Sequence, residues 1–352
     1  MSAPSRTRPI HVPRKRPPAR GDDADARIMT LLAEDGRRSN RDIARITDIP
    51  EKQVAARIRW LLQEDRMRIV AVVDVFAAGF EFMLTVGVEV GGRPAAEVAA
   101  QLAAFPEVLS VVLMSGEYDI EIVLVAQDQD ALGRFVQDQL GRIAGIRRLA
   151  PSLRLEVFKF QSGLGPIVAS HGGALDFPEG TSLDALAIGV IRQLWLDPRA
   201  TNQAIAKKLR SSESTVRARI AELRARDVLR ITAIGNLQVG QGQLLAFVGI
   251  ELDGRPHAAV ARELCRMSEV RFAAAVLGRC DILAMVLAES AGELSRLVHE
   301  RIAGLSGVRT VRAAQALRFA KYDYRWALIR ASPQGRPSPP LASSTAPLTA
   351  DA

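Results

Sequence analysis

The strongest constraint on this chain of 352 residues is that 22–160 superpose on 184–322 at one fixed shift without an insertion. Asp22 lies over Asp184, a shift of 162 positions, and the same shift sets Asp35 on Asp197, Arg37 on Arg199 and Asn40 on Asn202. It also sets Val54 on Val216, Arg57-Ile58 on Arg219-Ile220 and Gly92-Arg93-Pro94 on Gly254-Arg255-Pro256. Gly116 falls on Gly278, Asp119 on Asp281 and Gly145 on Gly307. Two copies in register over this length share one fold, and the period is far too long for a solenoid, so the chain is a tandem of duplicated domains.

Each copy opens with three helical patterns. Ile28, Leu31 and Leu32 form the first apolar stripe. The second helix begins after a natural N-cap, Ser39 or Thr201. Its first positions are Asn40 and Arg41 in copy one, Asn202 and Gln203 in copy two. The third packs Val54, Ile58 and Leu61, matched by Val216, Ile220 and Leu223. This is a helix-turn-helix, and the exposed face of its third helix is the part that enters a DNA major groove. That face offers Lys52, Gln53, Arg57 and Arg59 in copy one, and Ser214, Thr215, Arg217 and Arg219 in copy two. With the start of the second helix (Ser39, Asn40, Arg41; Thr201, Asn202, Gln203), these are the candidate DNA contacts. Arg57 and Arg219 are equally suited to an intradomain salt bridge. The turn before the third helix lacks the usual glycine: it reads Thr47-Asp48-Ile49-Pro50 and Leu209-Arg210-Ser211-Ser212. Ser212 is suited to cap its helix, whereas Pro50 is expected to start one.

A connecting strand at 69–74, matched by 231–236, leads to alternating strands and helices in the order βαββαβ. The first helix places Val98, Leu102 and Phe105 inward, and the second Leu132, Phe135, Val136, Leu140 and Ile143. Ser115–Asp119 and Leu277–Asp281 are the hairpin turns between the central strands. The expected fold class is therefore α+β: two tandem copies of a winged-helix-like helix-turn-helix plus a ferredoxin-like βαββαβ domain. Expected boundaries are a basic arm at 1–21, helix-turn-helix domains at 22–75 and 183–237, ferredoxin-like domains at 76–160 and 238–325, a linker at 161–182 and an unstructured tail at 326–352.

Charge and composition narrow the function. A net charge of +8 and a pI near 10.0 make a polyanion the first partner to consider, a nucleic acid or an anionic membrane surface. The longest apolar stretch, 69–90, is broken by Asp74, Glu81 and Glu89, so no membrane-spanning segment is expected. The arginine- and proline-rich start is unlike a secretory signal, and the two cysteines form neither a metal spacing nor a disulfide framework. A cytoplasmic protein with no metal and no cofactor is expected.

Asp22 and Asp25 on the first helix, Asp35-Gly36-Arg37, the helix-turn-helix and the Gly-x-Tyr-Asp turn at 116–119 resemble, in that order, the Lrp/AsnC or feast/famine regulators. Copy two departs at Ala187, Pro198 and Cys280, and tandem duplication is itself unusual there. The resemblance implies a DNA-binding transcriptional regulator whose sensor domains pair through their sheets and bind a small effector, typically an amino acid, near the Gly-x-x-Asp turn. Carried over position by position, it selects Gly116, Tyr118, Asp119, Gly278 and Asp281 as effector contacts. An acid beside a glycine turn suits an α-amino group, although Gly and Asp also make tight turns with no ligand. Because the linker keeps the copies at high local concentration, they are expected to pair within one chain, and whole chains to assemble further. Unequal recognition helices then predict a non-palindromic site with half-sites about 34 Å apart.

Two alternatives stand beside this reading. The siroheme decarboxylases resemble the family in fold, but catalysis calls for titratable groups, and His257 and His299 of copy two face Ala95 and Gln137 at the matching positions. No catalytic residue is assigned. An architectural DNA-binding protein of low specificity would rely on the basic arm alone.

Overall fold

The computed structural model describes residues 21–160, 164–165, 175–178, 181–236 and 243–327. The basic arm up to residue 20, most of the linker and the tail beyond 327 lie outside the described residues. Copy one runs α1 (Gly21–Glu34), α2 (Asn40–Thr47), α3 (Glu51–Gln63), β1 (Met67–Asp74), β2 (Phe82–Val90), α4 (Ala95–Ala104), β3 (Val108–Ser115), β4 (Ile120–Ala126), α5 (Gln129–Arg134) and β5 (Ile146–Phe160). After a short β6 (Leu164–Gly165), copy two repeats the order as α6 (Ala185–Leu196), α7 (Asn202–Leu209), α8 (Glu213–Ala225), β7 (Leu229–Asn236), β8 (Leu244–Leu252), α9 (His257–Arg266), β9 (Val270–Leu277), β10 (Ile282–Ala288), α10 (Ala291–Arg296) and β11 (Val308–Tyr322). The expected βαββαβ order is present in both.

The two copies share their sheets. Strands β3-β4-β2-β5 of copy one and β9-β10-β8-β11 of copy two close into one eight-stranded barrel. The seams come from strand length. β5 and β11 are each 15 residues long, and a single sheet uses only the first half. In β5, Ile146–Leu153 pairs with β2 and Leu153–Phe160 with β9; in β11, Val308–Gln315 pairs with β8 and Gln315–Tyr322 with β3. Neither sheet keeps an open edge at these seams, which removes the hazard of unpaired strands. A lysine locks each seam. Lys321 donates to the Phe105 carbonyl at 2.7 Å, and its counterpart Lys159 donates to the Cys265 and Met267 carbonyls at 2.9 Å. β11 thus caps the C-terminus of α4, and β5 that of α9, where a cation is favoured. Burial lowers the pKa of both amines.

The connecting strands pair as well. β1 and β7 run antiparallel from Met67↔Gly235 to Val73↔Leu229, so the strand after each helix-turn-helix finds the other copy and not a wing hairpin of its own. Trp326–Ala327, expected in an unstructured tail, form a short strand β12 beside β1. The reason is Trp326, which is buried against Phe80, Phe177 and Trp195.

The helices of each ferredoxin-like domain cover the outer barrel face, with Val98, Leu102, Phe105, Phe135 and Leu140 in copy one and Val260, Leu264, Leu297 and Ile302 in copy two. Val136 departs from its expected core position and is exposed, whereas its counterpart Val298 is buried in the matching π-helical turn at Leu297–Ile302. The helix-turn-helix cores are unlike. In copy one Ile28, Leu32, Ile43, Val54, Ile58 and Leu61 form a small core of their own with Met67 and Ala233. In copy two Val190, Ile191, Leu194, Val216 and Leu223 merge with β1, Trp326 and the inner barrel residues Met83, Leu109 and Phe272.

Candidate DNA-binding surface and effector pocket

The helix-turn-helix caps follow their sequences. Ser39 accepts from the Asp42 N–H at 3.0 Å and Thr201 from the Ala204 N–H at 3.1 Å, satisfying free donors at the helix start. Asp48 and Arg210 take the left-handed conformation after the second helix, with φ of 57° and 52°. Arg210 shows that the missing glycine is tolerated there. Ser212 caps α8 by accepting from the Thr215 N–H at 3.0 Å. Pro50 sits at the cap position before α3, and the helix itself begins at Glu51.

On α3, Lys52, Gln53 and Arg59 are exposed, and among the described residues no carboxylate pairs with Lys52 or Arg59. Arg57 is different. It is 3 % exposed and donates to Asp25 of α1 at 2.6 Å, so it is withdrawn from the DNA-facing set: its guanidinium ties the recognition helix to α1. Arg219, its counterpart, is 25 % exposed and pairs with Asp184 at 2.7 Å and Glu222 at 2.8 Å, since Ala187 has replaced the inner acid. Arg217 is exposed but bonded to Glu213 at 2.7 Å, and Ser214 and Thr215 share hydrogen bonds with Ser212. The α8 face therefore carries compensated charge where α3 carries free charge.

The starts of α2 and α7 meet. Arg37 donates to the Ala200 carbonyl at 2.7 Å and Asn202 Oδ1 at 3.0 Å, while Arg199 donates to the Arg38 carbonyl at 3.2 Å. Asn202 thus serves contact between the two helix-turn-helix units, whereas Asn40 Oδ1 is buried without a partner. Arg41 and Gln203 remain exposed beside the caps. Gly36 fits because a Cβ there would lie 3.0 Å from the Thr232 backbone nitrogen of β7.

The two hairpin turns pack on the opposite copy. A Cβ on Gly116 would stand 2.7 Å from Ala314 Cβ, and one on Gly278 2.4 Å from the Pro151 carbonyl, so both glycines are required by approach to the partner's long strand. Asp119 Oδ2 accepts from the Val90 N–H at 2.8 Å and Asp281 Oδ2 from the Leu252 N–H at 2.7 Å. Between the turns lies a small pocket of about 50 Å³, with Phe247, Leu283 and Ala314 on its apolar wall and Glu117, Tyr118, Glu121, Arg279, Cys280 and Arg312 as its polar groups. Tyr118 is buried there, its hydroxyl donating to Glu117 at 3.0 Å, with the guanidinium of Arg279 4.8 Å from its ring centroid. Burial raises the pKa of Tyr118 and of Glu121, the latter against the opposing pull of its ion pair with Arg279. Burial also pushes the Cys280 thiol up to about 11. The pocket therefore joins Tyr118 of one turn to Arg279 of the other, and it contains neither glycine nor either Asp of the motif. Glu121, Arg279 and Arg312 went unpredicted from sequence. The available signal was one acid inside the otherwise apolar strand β4.

Fold and surface together define a helix-turn-helix DNA-binding protein with a paired ferredoxin-like sensor. Residues 83–164 and 245–326 match the Lrp/AsnC ligand binding domain, two stretches again separated by 162 positions. Residues 22–62 match the AsnC-type helix-turn-helix domain and 183–230 a winged helix-turn-helix DNA-binding domain. An uncharacterised HTH-type transcriptional regulator of Pyrococcus furiosus is 35 % identical over 140 residues, which cover 40 % of this chain and 95 % of the relative. The HTH-type transcriptional regulator FL11 of Pyrococcus horikoshii is 29 % identical over 139 residues, 39 % of this chain and 91 % of that protein. The chain belongs to the Lrp/AsnC family of transcriptional regulators, and each of these relatives spans one of its copies. The siroheme decarboxylase NirDL has the same fold at a TM-score of 0.60 and 17 % identity, over 85 % of this chain and 92 % of that one. No helix among the described residues is long and apolar enough to cross a membrane.

Proposed function

We propose that one chain acts as a complete cytoplasmic DNA-reading unit, with its two helix-turn-helix domains set on a single barrel and an asymmetric DNA element as target. The observation that carries this reading is the intrachain closure of barrel and β1-β7 ribbon, which brings two unlike recognition helices into one body. Lys52, Gln53 and Arg59 are assigned the principal contacts, with Ser39 and Arg41 toward phosphate. Ser214, Thr215 and Arg217 supply the weaker half, supported by Gln203 and Thr201. Selection from a random DNA library tests the assignment: a non-palindromic minimal site is expected, and a perfect palindrome would overturn it. Exchanging 51–60 with 213–222 should reverse the orientation of the site.

The pocket between the turns is assigned to the ammonium–carboxylate head of a small effector, an amino acid, since about 50 Å³ takes about three to five non-hydrogen atoms. Its Glu121–Arg279 ion pair would open onto the ammonium and carboxylate of a zwitterion, and Tyr118 supplies an aromatic wall. Titration of DNA affinity against a panel of amino acids tests this, with Glu121→Gln expected to blunt the response. Catalysis is not part of the reading. His257 and His299, the histidines among the described residues, line neither this pocket nor the barrel cavity. Tetrapyrrole absorbance in the purified protein would contradict the regulator assignment.

A further inference from the structure

The barrel encloses a second cavity, of about 100 Å³, at the end nearer the helix-turn-helix domains. All eight barrel strands contribute to its wall, together with Trp326 of β12. Most of the lining is apolar, including Met83, Phe272 and Phe319. The polar lining residues are Thr85, Ser110, Arg154, Arg271, Tyr322 and Asp323, and of these Arg154 of β5 calls for an explanation. Its Nη2 donates to Thr85 Oγ1 at 3.0 Å and its Nη1 faces Met83 Sδ at 2.9 Å, a poor acceptor. Its guanidinium carbon stands 4.8 Å from the Phe272 ring centroid, and its Nε is buried with no hydrogen-bond partner. Among the described residues no carboxylate is paired with it, and burial alone lowers its pKa, to about 10, which leaves it charged at neutral pH. The other copy has Ala316 at this place, so the charge is not a requirement of the fold.

Arg154 is half-buried with its Nε fully enclosed, and a cation withdrawn this far from water without a counter-charge is costly to keep. A second donor in the same wall is also unmatched: Trp326 is buried and its Nε1 has no partner. Arginine and the indole N–H can only donate, so the chemistry that would satisfy both is an acceptor, and the charge asks for an anion. The acid in the lining, Asp323, is already held by Arg325 at 2.8 Å and offers no place for an amino group. At about 10–15 Å³ for each water-sized occupant, the space suits a body of about seven to ten non-hydrogen atoms.

We propose that this cavity binds a small monocarboxylate with an apolar body, its carboxylate on Arg154 and Trp326 Nε1, its body among Met83, Phe272 and Phe319. The site is distinct from the pocket between the turns, with which it shares the wall residues Phe247 and Leu283. Its position gives it a route to the DNA-binding half. Trp326 packs at 5.3 Å on Trp195 of α6, and β12 pairs with β1, so a ligand against this indole touches the second helix-turn-helix core directly.

The test is thermal denaturation and calorimetric titration of the full chain with benzoate, phenylacetate and 4-methyl-2-oxopentanoate. Benzyl alcohol and benzylamine serve as neutral and cationic counterparts. At least one carboxylate should raise the Tm by several degrees at ~10 mM while neither counterpart does, because ligand binding to the folded state shifts stability by mass action. Arg154→Leu should melt higher than the parent when free, since an uncompensated charge has been replaced by an apolar side chain, and should lose the carboxylate response. Trp326→Phe keeps a ring and removes one donor to a charged acceptor, and should weaken binding about tenfold. Asp119→Ala and Glu121→Gln should leave the carboxylate response in place, which separates this site from the pocket between the turns. The proposal is overturned if none of the three carboxylates shifts the parent protein, if the neutral counterpart shifts it equally, or if Arg154→Leu folds and still responds. Should Arg154→Leu not fold, an unchanged affinity in Trp326→Phe overturns it in the same way.

Discussion

The two helix-turn-helix domains began as copies and now solve opposite problems. The first stands on a small core of its own and keeps the cations of its recognition helix free, at Lys52 and Arg59. The second is welded into the barrel core through Trp195 and Trp326, and its recognition-helix arginines are neutralised by Glu213, Asp184 and Glu222. Duplication inside one chain relaxes the symmetry that a homodimer imposes, where every interface residue must serve both halves. One half can then specialise in gripping DNA and the other in joining the DNA-binding layer to the sensor.

The largest effect expected from this contrast is in stability. Removing Arg57 strips Asp25 of a buried partner, so Arg57→Met should cost about 3–5 kcal/mol, the range for breaking a buried pair. Arg219→Met, at the matching but solvent-screened position, should cost under about 1 kcal/mol. Urea denaturation of both variants measures the difference, and equal losses would show that the two domains are held to their first helices in the same way. Next in size is DNA binding. Lys52→Ala with Arg59→Ala should weaken affinity about tenfold or more and reduce the salt slope by about two, whereas Ser214→Ala should leave the slope unchanged. Titration at several salt concentrations decides this, and an equal effect from α8 would erase the proposed division of labour.

A smaller and symmetric effect is expected at the turns. Asp119 and Asp281 each accept one backbone N–H, so each Asp→Ala should cost about 1–2 kcal/mol, the two being equal within error. Unequal losses would mean that one aspartate does something beyond holding its strand end. The finest distinction concerns Cys280, which stands where copy one has Tyr118 and lines the pocket between the turns. With its thiol pushed up to about 11, Cys280 should label with iodoacetamide only slowly at pH 8, and an effector in the pocket should slow it further. Mass spectrometry of the labelled peptides gives the rate; no change under saturating effector would place the effector elsewhere.

Much of this architecture was legible in the repeat. The shift that aligned Gly116 with Gly278 also relates the seams, since Leu153 and Phe160 bound one and Gln315 and Tyr322 the other. Caps at Ser39, Thr201 and Ser212 were readable because capping is local. What periodicity could not show is where a charged side chain goes once elements from distant parts of the chain meet. Arg57 reads equally as a DNA contact or as an intradomain salt bridge, and only the arrival of Asp25 on α1 decides for the second. Asn202 reads as a DNA contact until Arg37, from the other copy, takes its carbonyl oxygen. The same limit hid Glu121, whose partner Arg279 lies 158 residues away. Trp326 sits outside every periodic pattern, so its place in the core followed from no local rule.

The shared long strands also set a schedule for the chain as it is made. When residue 160 leaves the ribosome, the first sheet has β3 and the far half of β5 exposed as unpaired edges, and their covers, β11 and β9, do not yet exist. At about 5–20 residues per second, the wait until the end of β11 is roughly 10–30 s. During that interval, neighbouring nascent chains on one message present the same open edges to each other. Folding to the closed barrel is thus a competition between self-capture and capture of a neighbour, and slower translation of the second copy should enrich strand-exchanged dimers.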